Sequence, residues 1–277
     1  MSARGRFSSV LVTIVVALAG FVTVGALPAA ASPPTIQYVA LGDSYAAGQG
    51  GGDYLNPCLQ TLGSYPESLD DEGRIQLQAN PTCTGAKASN MAAQVMELTD
   101  DTRLVTLTVG AADLGLSAVL AVCTDPTRPL ADCIAAVRAA GDLLPMLYID
   151  LTKLYADVAG EAPQARVVVT GYPHLFEPLP PNDPRAAVVA AVNSATDALN
   201  STIEQAVSVT NDADVNIHYV DVTDEFAGHG IFSADPFIHN LPHPDAFHPN
   251  VPGYQAYADA ISAALPGGWL HEQKQSV

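Results

Sequence analysis

Basic side chains are scarce in this sequence. Its 277 residues contain 11 lysines and arginines against 29 aspartates and glutamates, which gives a formal net charge of −18. We therefore expect no nucleic-acid partner, because binding to a phosphate backbone depends on clustered positive charge. The same acidic balance disfavours tight docking on anionic membranes and favours solubility outside the cell.

The motifs of several cofactor and metal sites are also missing. Glycines are frequent at residues 48–52, but neither a Walker lysine nor a G-x-G-x-x-G spacing accompanies them, so we expect no phosphate cradle. A metal site is disfavoured as well, because Pro242 and Pro244 keep His239 and His243 from sharing one helical face. The sequence therefore predicts neither a metal nor a cofactor.

The first 31 residues have the three regions of a secretory signal peptide. Arg4 and Arg6 precede an uncharged apolar run at residues 10–27, and small residues at 29–31 follow it. We expect cleavage after Ala31 and a secreted, extracellular protein with one mature domain over residues 32–277 and no stable membrane insertion. A retained transmembrane anchor stays open as the alternative, because the apolar run is long enough to span a bilayer.

Cysteine is limited to four residues, and none of them forms a C-x-x-C pair. An even number of cysteines in an exported chain favours disulfides over metal binding or redox chemistry. Three pairings are possible. The pairing that closes the shortest loops joins Cys58 with Cys83 and Cys123 with Cys133, and it is our default expectation.

Short apolar runs alternate with longer alanine-rich stretches along the mature chain. The short runs predict strands at residues 36–41, 74–77, 104–109, 166–170 and 215–220. The longer stretches predict helices at residues 88–98, 134–158, 186–209 and 252–265. Pro145 is expected to kink or split the second helix, and Asn250 is a suitable N-cap for the last. This alternation predicts an α/β fold with a central parallel sheet.

The residues of greatest chemical interest stand near the two ends of the mature chain. Ser44 closes the apolar run 38–44, so we expect its hydroxyl at the carboxyl edge of the sheet, where open α/β folds bind ligands. Asp245 and His248 lie far along the chain, three positions apart. A serine hydroxyl becomes a good nucleophile when a base accepts its proton and another group orients that base. We expect Asp245 to hold Nδ1 of His248 and to leave Nε2 facing Ser44.

Two blocks around these residues resemble the SGNH, or GDSL-type, esterases and lipases, in particular their secreted actinobacterial branch. The blocks are YVALGDSYAAG at residues 38–48 and DAFHPNVPGY at residues 245–254. The segments similar to intermediate parts of that branch are residues 64–66, 83–86, 167–173 and 228–230. The resemblance covers nearly the whole mature chain and implies a flavodoxin-like, three-layer α/β/α sandwich with Ser44, His248 and Asp245 as a catalytic triad.

The resemblance also implies three donors that hold the negatively charged oxygen of the reaction intermediate. They are the backbone amides of Ser44 and Gly85 and an asparagine side chain in a Gly-x-Asn-Asp block. That block aligns on residues 110–113, where the asparagine position is occupied by Ala112. Alanine has no side-chain donor, and the loss of one such donor elsewhere costs about 10²–10³ in rate.

Together these features predict a monomeric, metal-independent serine esterase or lipase that cleaves carboxylic esters of small molecules or lipids through an acyl-enzyme. Two alternatives stay open. A protein that has lost its activity through Ala112 could bind a lipid or a glycan without cleaving it, and an active enzyme could remove acetyl groups from carbohydrate.

Overall fold

The computed structural model describes residues 35–70, 72–211 and 215–270. The expected signal peptide, residues 1–31, lies outside these ranges, so its cleavage stays a prediction. Within them, no helix is both long enough and apolar enough to cross a bilayer.

Five parallel strands form a central sheet in the order β2-β1-β3-β4-β5. The strands are β1 (Ile36–Gly42), β2 (Ile75–Ala79), β3 (Leu104–Thr108), β4 (Arg166–Thr170) and β5 (Ile217–Val220). From β1 the chain passes to β2 on one side and then returns to β3 on the other. The strand order therefore reverses at β1, and open α/β sheets bind ligands beside the carboxyl ends of strands at such a reversal.

Helices in two separate groups cover the sheet and give a three-layer α/β/α sandwich. In one group α2 packs against α8, whereas the helices from α3 to α7 contact one another in the other group. The helices are α1 (Ser44–Ala47), α2 (Tyr65–Asp70), α3 (Ala92–Val95), α4 (Leu116–Cys123), α5 (Leu130–Gly141), α6 (Leu144–Glu161), α7 (Ala186–Asn211) and α8 (Val251–Ala263). Two short 3₁₀ turns occur at Ala88–Asn90 and Gly267–Trp269.

The central strands are apolar along almost their whole length because helices cover both of their faces. In β1, the run from Tyr38 to Leu41 is almost completely buried, and every residue of β3 is buried as well. The edge strand β2 shows a different pattern, with Ile75 buried and the following Gln76 exposed. A parallel sheet covered on both faces produces this contrast between inner and edge strands.

The sequence locates every strand within a few residues, but the helix expected at residues 88–98 is a 3₁₀ turn at Ala88–Asn90 followed by the four-residue α3. The stretch at residues 134–158 is split into α5 and α6, as predicted for Pro145, which lies in the first turn of α6. Proline is tolerated there because the first backbone amides of a helix have no partner inside it. The short helices α1, α2 and α4 were not predicted, because a run of four to eight residues is too short to show a helical period of apolar residues.

Two disulfides are present, between Cys58 and Cys83 and between Cys123 and Cys133. The first joins the loop after α1 to the loop after β2, and the second links the end of α4 to α5. Both bonds hold segments that border the carboxyl end of the sheet. They therefore stabilise the region in which the candidate site is built.

Candidate active site

Ser44 is the first residue of α1, and only Asp43 separates it from the end of β1. Gly42 has φ +138, and a Cβ there would collide with the carbonyl oxygen of Thr108 in β3, so the sharp turn requires glycine. Asp43 caps α1, because its Oδ1 accepts a hydrogen bond of 2.9 Å from the amide of Tyr45. The strand end, the glycine and the cap together fix Ser44 at the carboxyl edge of the sheet.

The loop before α8 brings His248 to this serine. Nε2 of His248 lies 2.9 Å from Oγ of Ser44, within hydrogen-bonding distance. Asn250 caps α8 by accepting from the amide of Gly253 at 3.0 Å, as the sequence predicted. The hydroxyl of Tyr45 donates to the carbonyl of Phe247 at 2.7 Å, which ties this loop to α1. The nucleophile and the base expected from sequence are therefore in contact.

The environment of His248 keeps its imidazole neutral over most of the pH range. Burial lowers the pKa of His248 to about 4, while the carbonyl of Ala246 and the negative charge of Asp245 oppose this change. A neutral imidazole can accept a proton from a serine hydroxyl at neutral pH. The pair is thus in the protonation state that general-base catalysis requires.

Asp245 is near this pair but does not make the hydrogen bond that the sequence predicted. Among the described residues, Nδ1 of His248 has no hydrogen-bond partner. Oδ1 of Asp245 instead accepts from Nε2 of Gln49 at 3.2 Å and from the hydroxyl of Tyr54. Its carboxylate is drawn towards the segment after α1, so Asp245 acts on the imidazole through its charge rather than through contact.

Two backbone amides beside Ser44 are available to a ligand. In the part of the chain that the structure describes, neither the amide of Ser44 nor that of Gly85 donates a hydrogen bond. The loop of Gly85 is anchored to the end of β1, because the amide of Cys83 donates to the carbonyl of Gly42 at 3.1 Å. Ala112 reaches the same cavity from the turn after β3 and brings no side-chain donor.

These groups line one open cavity of about 420 Å³ at the carboxyl end of the sheet. Ser44, Gly85 and Ala112 contribute to its walls, as does His248. Its apolar walls come from α4 and from the loop before α8, with Leu120 and Phe247 among them. We call it the catalytic cavity. Its mixture of a few polar groups with apolar walls is typical of sites for small organic ligands.

Tyr172 is a structural part of the site to which the sequence assigned no role. Its hydroxyl donates to Oδ2 of Asp43 at 2.6 Å and accepts from the amide of Ala111 at 3.2 Å. Burial raises the pKa of Asp43 to about 7, and the hydrogen bonds from Tyr172 and the Tyr45 amide oppose the rise. Tyr172 therefore links the cap of the serine helix to the turn that carries Ala112.

Gln49 and Tyr54 are further residues that sequence reasoning missed. Besides donating to Asp245, Gln49 accepts from the hydroxyl of Thr84 at 2.8 Å and so connects the loop before Gly85 with the loop of His248. The only sequence signal for a role of Gln49 and Tyr54 in the site is that they follow closely after the block at residues 38–48, which contains Ser44. Neither residue type is diagnostic in a glycine-rich segment.

His239 and His243, which also lie on the loop before α8, pack against each other. The rings of His239 and His243 stack with centroids 3.9 Å apart, and Nε2 of His239 is 2.9 Å from the carbonyl oxygen of Gly50. Within the described ranges, no group of three or more His, Cys, Asp or Glu side chains is arranged to hold a metal ion.

Comparison with known proteins identifies similar sequences over most of the chain. The model of the GDSL-like Lipase/Acylhydrolase family matches residues 40–256. A lipase from Streptomyces rimosus is 32% identical over 275 residues, covering 93% of this chain and 96% of that protein. Lipase 1 from Streptomyces coelicolor is 26% identical over 268 residues, covering 90% of this chain and 94% of its own length.

Solved structures of two Streptomyces enzymes are also similar to this chain over most of its length. An extracellular lipase from Streptomyces rimosus superimposes with a TM-score of 0.76 at 27% identity and covers 83% of this chain and 100% of that chain. Phospholipase A1 from Streptomyces albidoflavus NA297 superimposes with a TM-score of 0.77 at 30% identity and covers the same two shares. The likeness therefore extends over most of this chain and over the whole of both solved structures.

Proposed function

This chain belongs to the GDSL-like Lipase/Acylhydrolase family and is a hydrolase that acts on ester bonds. We propose that it is a secreted serine esterase that works through an acyl-enzyme. Ser44 is the nucleophile and His248 the general base. The observation that carries this proposal is the distance of 2.9 Å between Nε2 of His248 and Oγ of Ser44. Because the pKa of His248 is lowered to about 4, the imidazole is ready to accept the proton at neutral pH.

In the first half of the reaction, Oγ of Ser44 bonds to the carbonyl carbon of the ester while its proton passes to Nε2 of His248. The carbonyl oxygen becomes negatively charged and accepts hydrogen bonds from the amides of Ser44 and Gly85, which have no other partner among the described residues. The bond to the alcohol oxygen then breaks, and His248 returns the proton to that oxygen. The alcohol leaves, and the acyl group stays on Ser44.

In the second half, water takes the place of the alcohol. His248 accepts a proton from the water as its oxygen attacks the acyl carbon, and the same amides hold the charged oxygen. When the bond to Ser44 breaks, His248 returns the proton to Oγ and the carboxylic acid leaves. The charge of Asp245 stabilises the imidazolium formed in both halves, because it opposes the lowering of the pKa of His248.

The surface charge and the cavity indicate which esters fit this site. A strongly acidic chain repels anionic substrates, whereas the partly apolar catalytic cavity favours esters with a hydrocarbon portion. The similar protein from Streptomyces albidoflavus is a phospholipase A1. We therefore propose neutral or zwitterionic lipid esters and small acyl esters as substrates. The enzyme acts as a monomer without metal or cofactor.

Secretion is part of the same proposal. Two disulfides favour an oxidising compartment, and the similar lipase from Streptomyces rimosus is extracellular. Residues 1–31 supply the proposed signal peptide. Mass analysis of the protein from the culture medium tests this, and we expect a mature chain that begins at Ser32.

Steady-state hydrolysis of p-nitrophenyl acetate and butyrate tests the proposed chemistry. We expect Ser44→Ala to lower kcat by at least about 10³-fold, because the nucleophile is gone. Ser201→Ala is the matched control, since Ser201 is an exposed serine on α7, and it should keep wild-type kinetics. A Ser44→Ala protein that retains its rate would refute the mechanism, and a wild type without turnover would favour the binding-protein alternative.

A further inference from the structure

Another histidine of the loop before α8 lies on the wall of the catalytic cavity, and the proposed reaction makes no use of it. His243 contributes to that wall together with His248. Its side chain is 43% exposed, so a ligand in the cavity can reach the imidazole. The chemical role of His243 depends on which ring nitrogen carries the proton.

One hydrogen bond settles the position of that proton. The amide of Asp245 donates to Nδ1 of His243 at 3.1 Å. A ring nitrogen that accepts such a bond carries no proton, so the neutral imidazole holds its proton on Nε2. Among the described residues, no group accepts a hydrogen bond from this Nε2. His243 therefore offers an N–H donor to a ligand in the catalytic cavity.

Stacking and flanking prolines hold the ring of His243 in place. It stacks on the ring of His239 with centroids 3.9 Å apart and planes within 5° of parallel. Nε2 of His239 in turn donates to the carbonyl oxygen of Gly50 at 2.9 Å, which ties both rings to the segment after α1. Pro242 and Pro244 restrict the backbone on either side of His243. A donor that is fixed before binding loses little conformational entropy when a ligand arrives.

The proposed reaction decides which half of the ester meets this donor. His248 gives its proton to the oxygen of the leaving alcohol, so the alcohol portion lies against the loop that carries His248. His243 belongs to the same loop and lines the same cavity. On the basis of the proposed function, we propose that Nε2 of His243 donates a hydrogen bond to an acceptor oxygen in the alcohol portion, such as a hydroxyl or ether oxygen. His243 thereby selects esters of polyols over esters of plain alkanols.

The expected size of this selection is that of one neutral hydrogen bond, about 2- to 12-fold in kcat/KM. The bond forms with the bound ester and persists in the transition state, so its loss should raise KM and leave kcat nearly unchanged. A residue that only supported the catalytic loop would instead lower kcat for every ester. The division of the effect between KM and kcat therefore separates the two roles.

Three butyrate esters with different alcohols test the proposal. In 2-methoxyethyl butyrate the alcohol carries an ether oxygen that can only accept, and in glycerol monobutyrate it carries hydroxyls that accept or donate. Propyl butyrate has no polar group beyond the ester. His243→Phe keeps an aromatic ring for stacking but has no donor. We expect it to lower kcat/KM for both polar esters about 2- to 12-fold relative to propyl butyrate.

Two further variants separate the two nitrogens of the ring. The side-chain amide of glutamine reaches the place of Nε2, so His243→Gln should keep most of the selection. In His243→Asn the side-chain oxygen takes the place of Nδ1, because asparagine commonly accepts from the amide two residues later. This variant brings no donor to the place of Nε2 and should lose the selection.

His229→Phe is the matched control. His229 also stacks on an aromatic ring, that of Phe237, but it does not line the catalytic cavity. The ratios among the three esters should therefore stay at their wild-type values. Thermal melts identify any variant that has not folded, and the folded ones decide the outcome.

Several results would overturn the proposal. They are unchanged ratios in His243→Phe and His243→Asn, the same loss in His229→Phe, and a loss for glycerol monobutyrate without one for the ether. An equal fall in kcat for all three esters would also overturn it, because that is the effect of a structural role. Ser44-dependent hydrolysis of propyl butyrate stays measurable in each case, so failure here differs from failure of the proposed function.

Discussion

Replacing Ala112 by asparagine should make this enzyme considerably faster. Ala112 lines the catalytic cavity together with Ser44 and Gly85, and its side chain ends at Cβ. In the proposed mechanism the two backbone amides are then the donors for the charged oxygen, where the family resemblance expects three. Restoring a third donor in a partly buried site should stabilise the transition state by about 2.7–4 kcal/mol, which corresponds to about 10²–10³ in kcat.

The assay is steady-state hydrolysis of p-nitrophenyl butyrate by wild type and Ala112→Asn. The gain should appear in kcat with little change in KM, because the added donor acts on the tetrahedral oxygen and not on the bound ester. Ala112→Leu is the control for side-chain volume, because leucine is close to asparagine in size but has no donor, and it should bring no gain. An unchanged kcat in Ala112→Asn, or an equal rise in Ala112→Leu, would refute the idea that this position limits the rate.

Three further outcomes follow from the electrostatics of the site. The proposed mechanism uses the neutral form of His248, so kcat/KM should be retained as the pH falls from 7 and should be lost only near pH 4. A loss of kcat/KM near pH 6.5 would contradict the lowering of the pKa of His248 by burial. Replacement of a triad aspartate lowers kcat by roughly 10⁴-fold. Asp245→Asn should cause a far smaller loss, because the carboxylate of Asp245 does not contact Nδ1 of His248. A full 10⁴-fold loss in the same kinetic assay would show that this contact does exist in solution. Tyr172→Phe should lower the free energy of unfolding by about 1.5–3 kcal/mol in urea at pH 8. At that pH Asp43 is mostly charged, and the substitution removes the hydroxyl that donates to it. An unchanged urea midpoint would contradict this role of Tyr172.

The meeting of Ser44 and His248 could be predicted from the sequence because simple rules govern the positions of both residues. Ser44 follows an apolar run, and the carboxyl ends of parallel strands meet at one edge of the sheet. His248 precedes a helix with a clear N-cap at Asn250, which places it on a loop at the same edge. The α/β class and the five strands were accessible for the same reason, since buried parallel strands are continuous apolar runs.

The orientation of Asp245 could not be predicted in this way. A three-residue spacing allows its carboxylate to reach the imidazole but does not oblige it to do so. Its observed partners, Gln49 and Tyr54, come from a glycine-rich segment without a periodic pattern. Only the folded chain therefore shows that these two side chains compete with His248 for the carboxylate of Asp245. The split at Pro145, by contrast, could be predicted, because proline interrupts a helix and is accepted in the first turn of the next one.

Tyr172 shows a third limit of sequence reasoning. It follows β4, two strands away from β1, and its contacts with Asp43 and Ala111 depend on the register of three neighbouring strands. The resemblance of residues 167–173 to the family marks this segment but assigns no role to Tyr172 itself. Side chains that act through such long-range contacts become visible only when the sheet is assembled.

Covalent labelling with a fluorophosphonate tests the central claim most directly, because this reagent reacts with a serine that has been activated as a nucleophile. The labelled protein is digested, and the modified peptide is identified by mass spectrometry. We predict one adduct, on Ser44, that is absent from Ser44→Ala and forms at the wild-type rate in Ser201→Ala. Ester hydrolysis by a protein that carries no label on Ser44, or that carries it on another residue, would contradict the account.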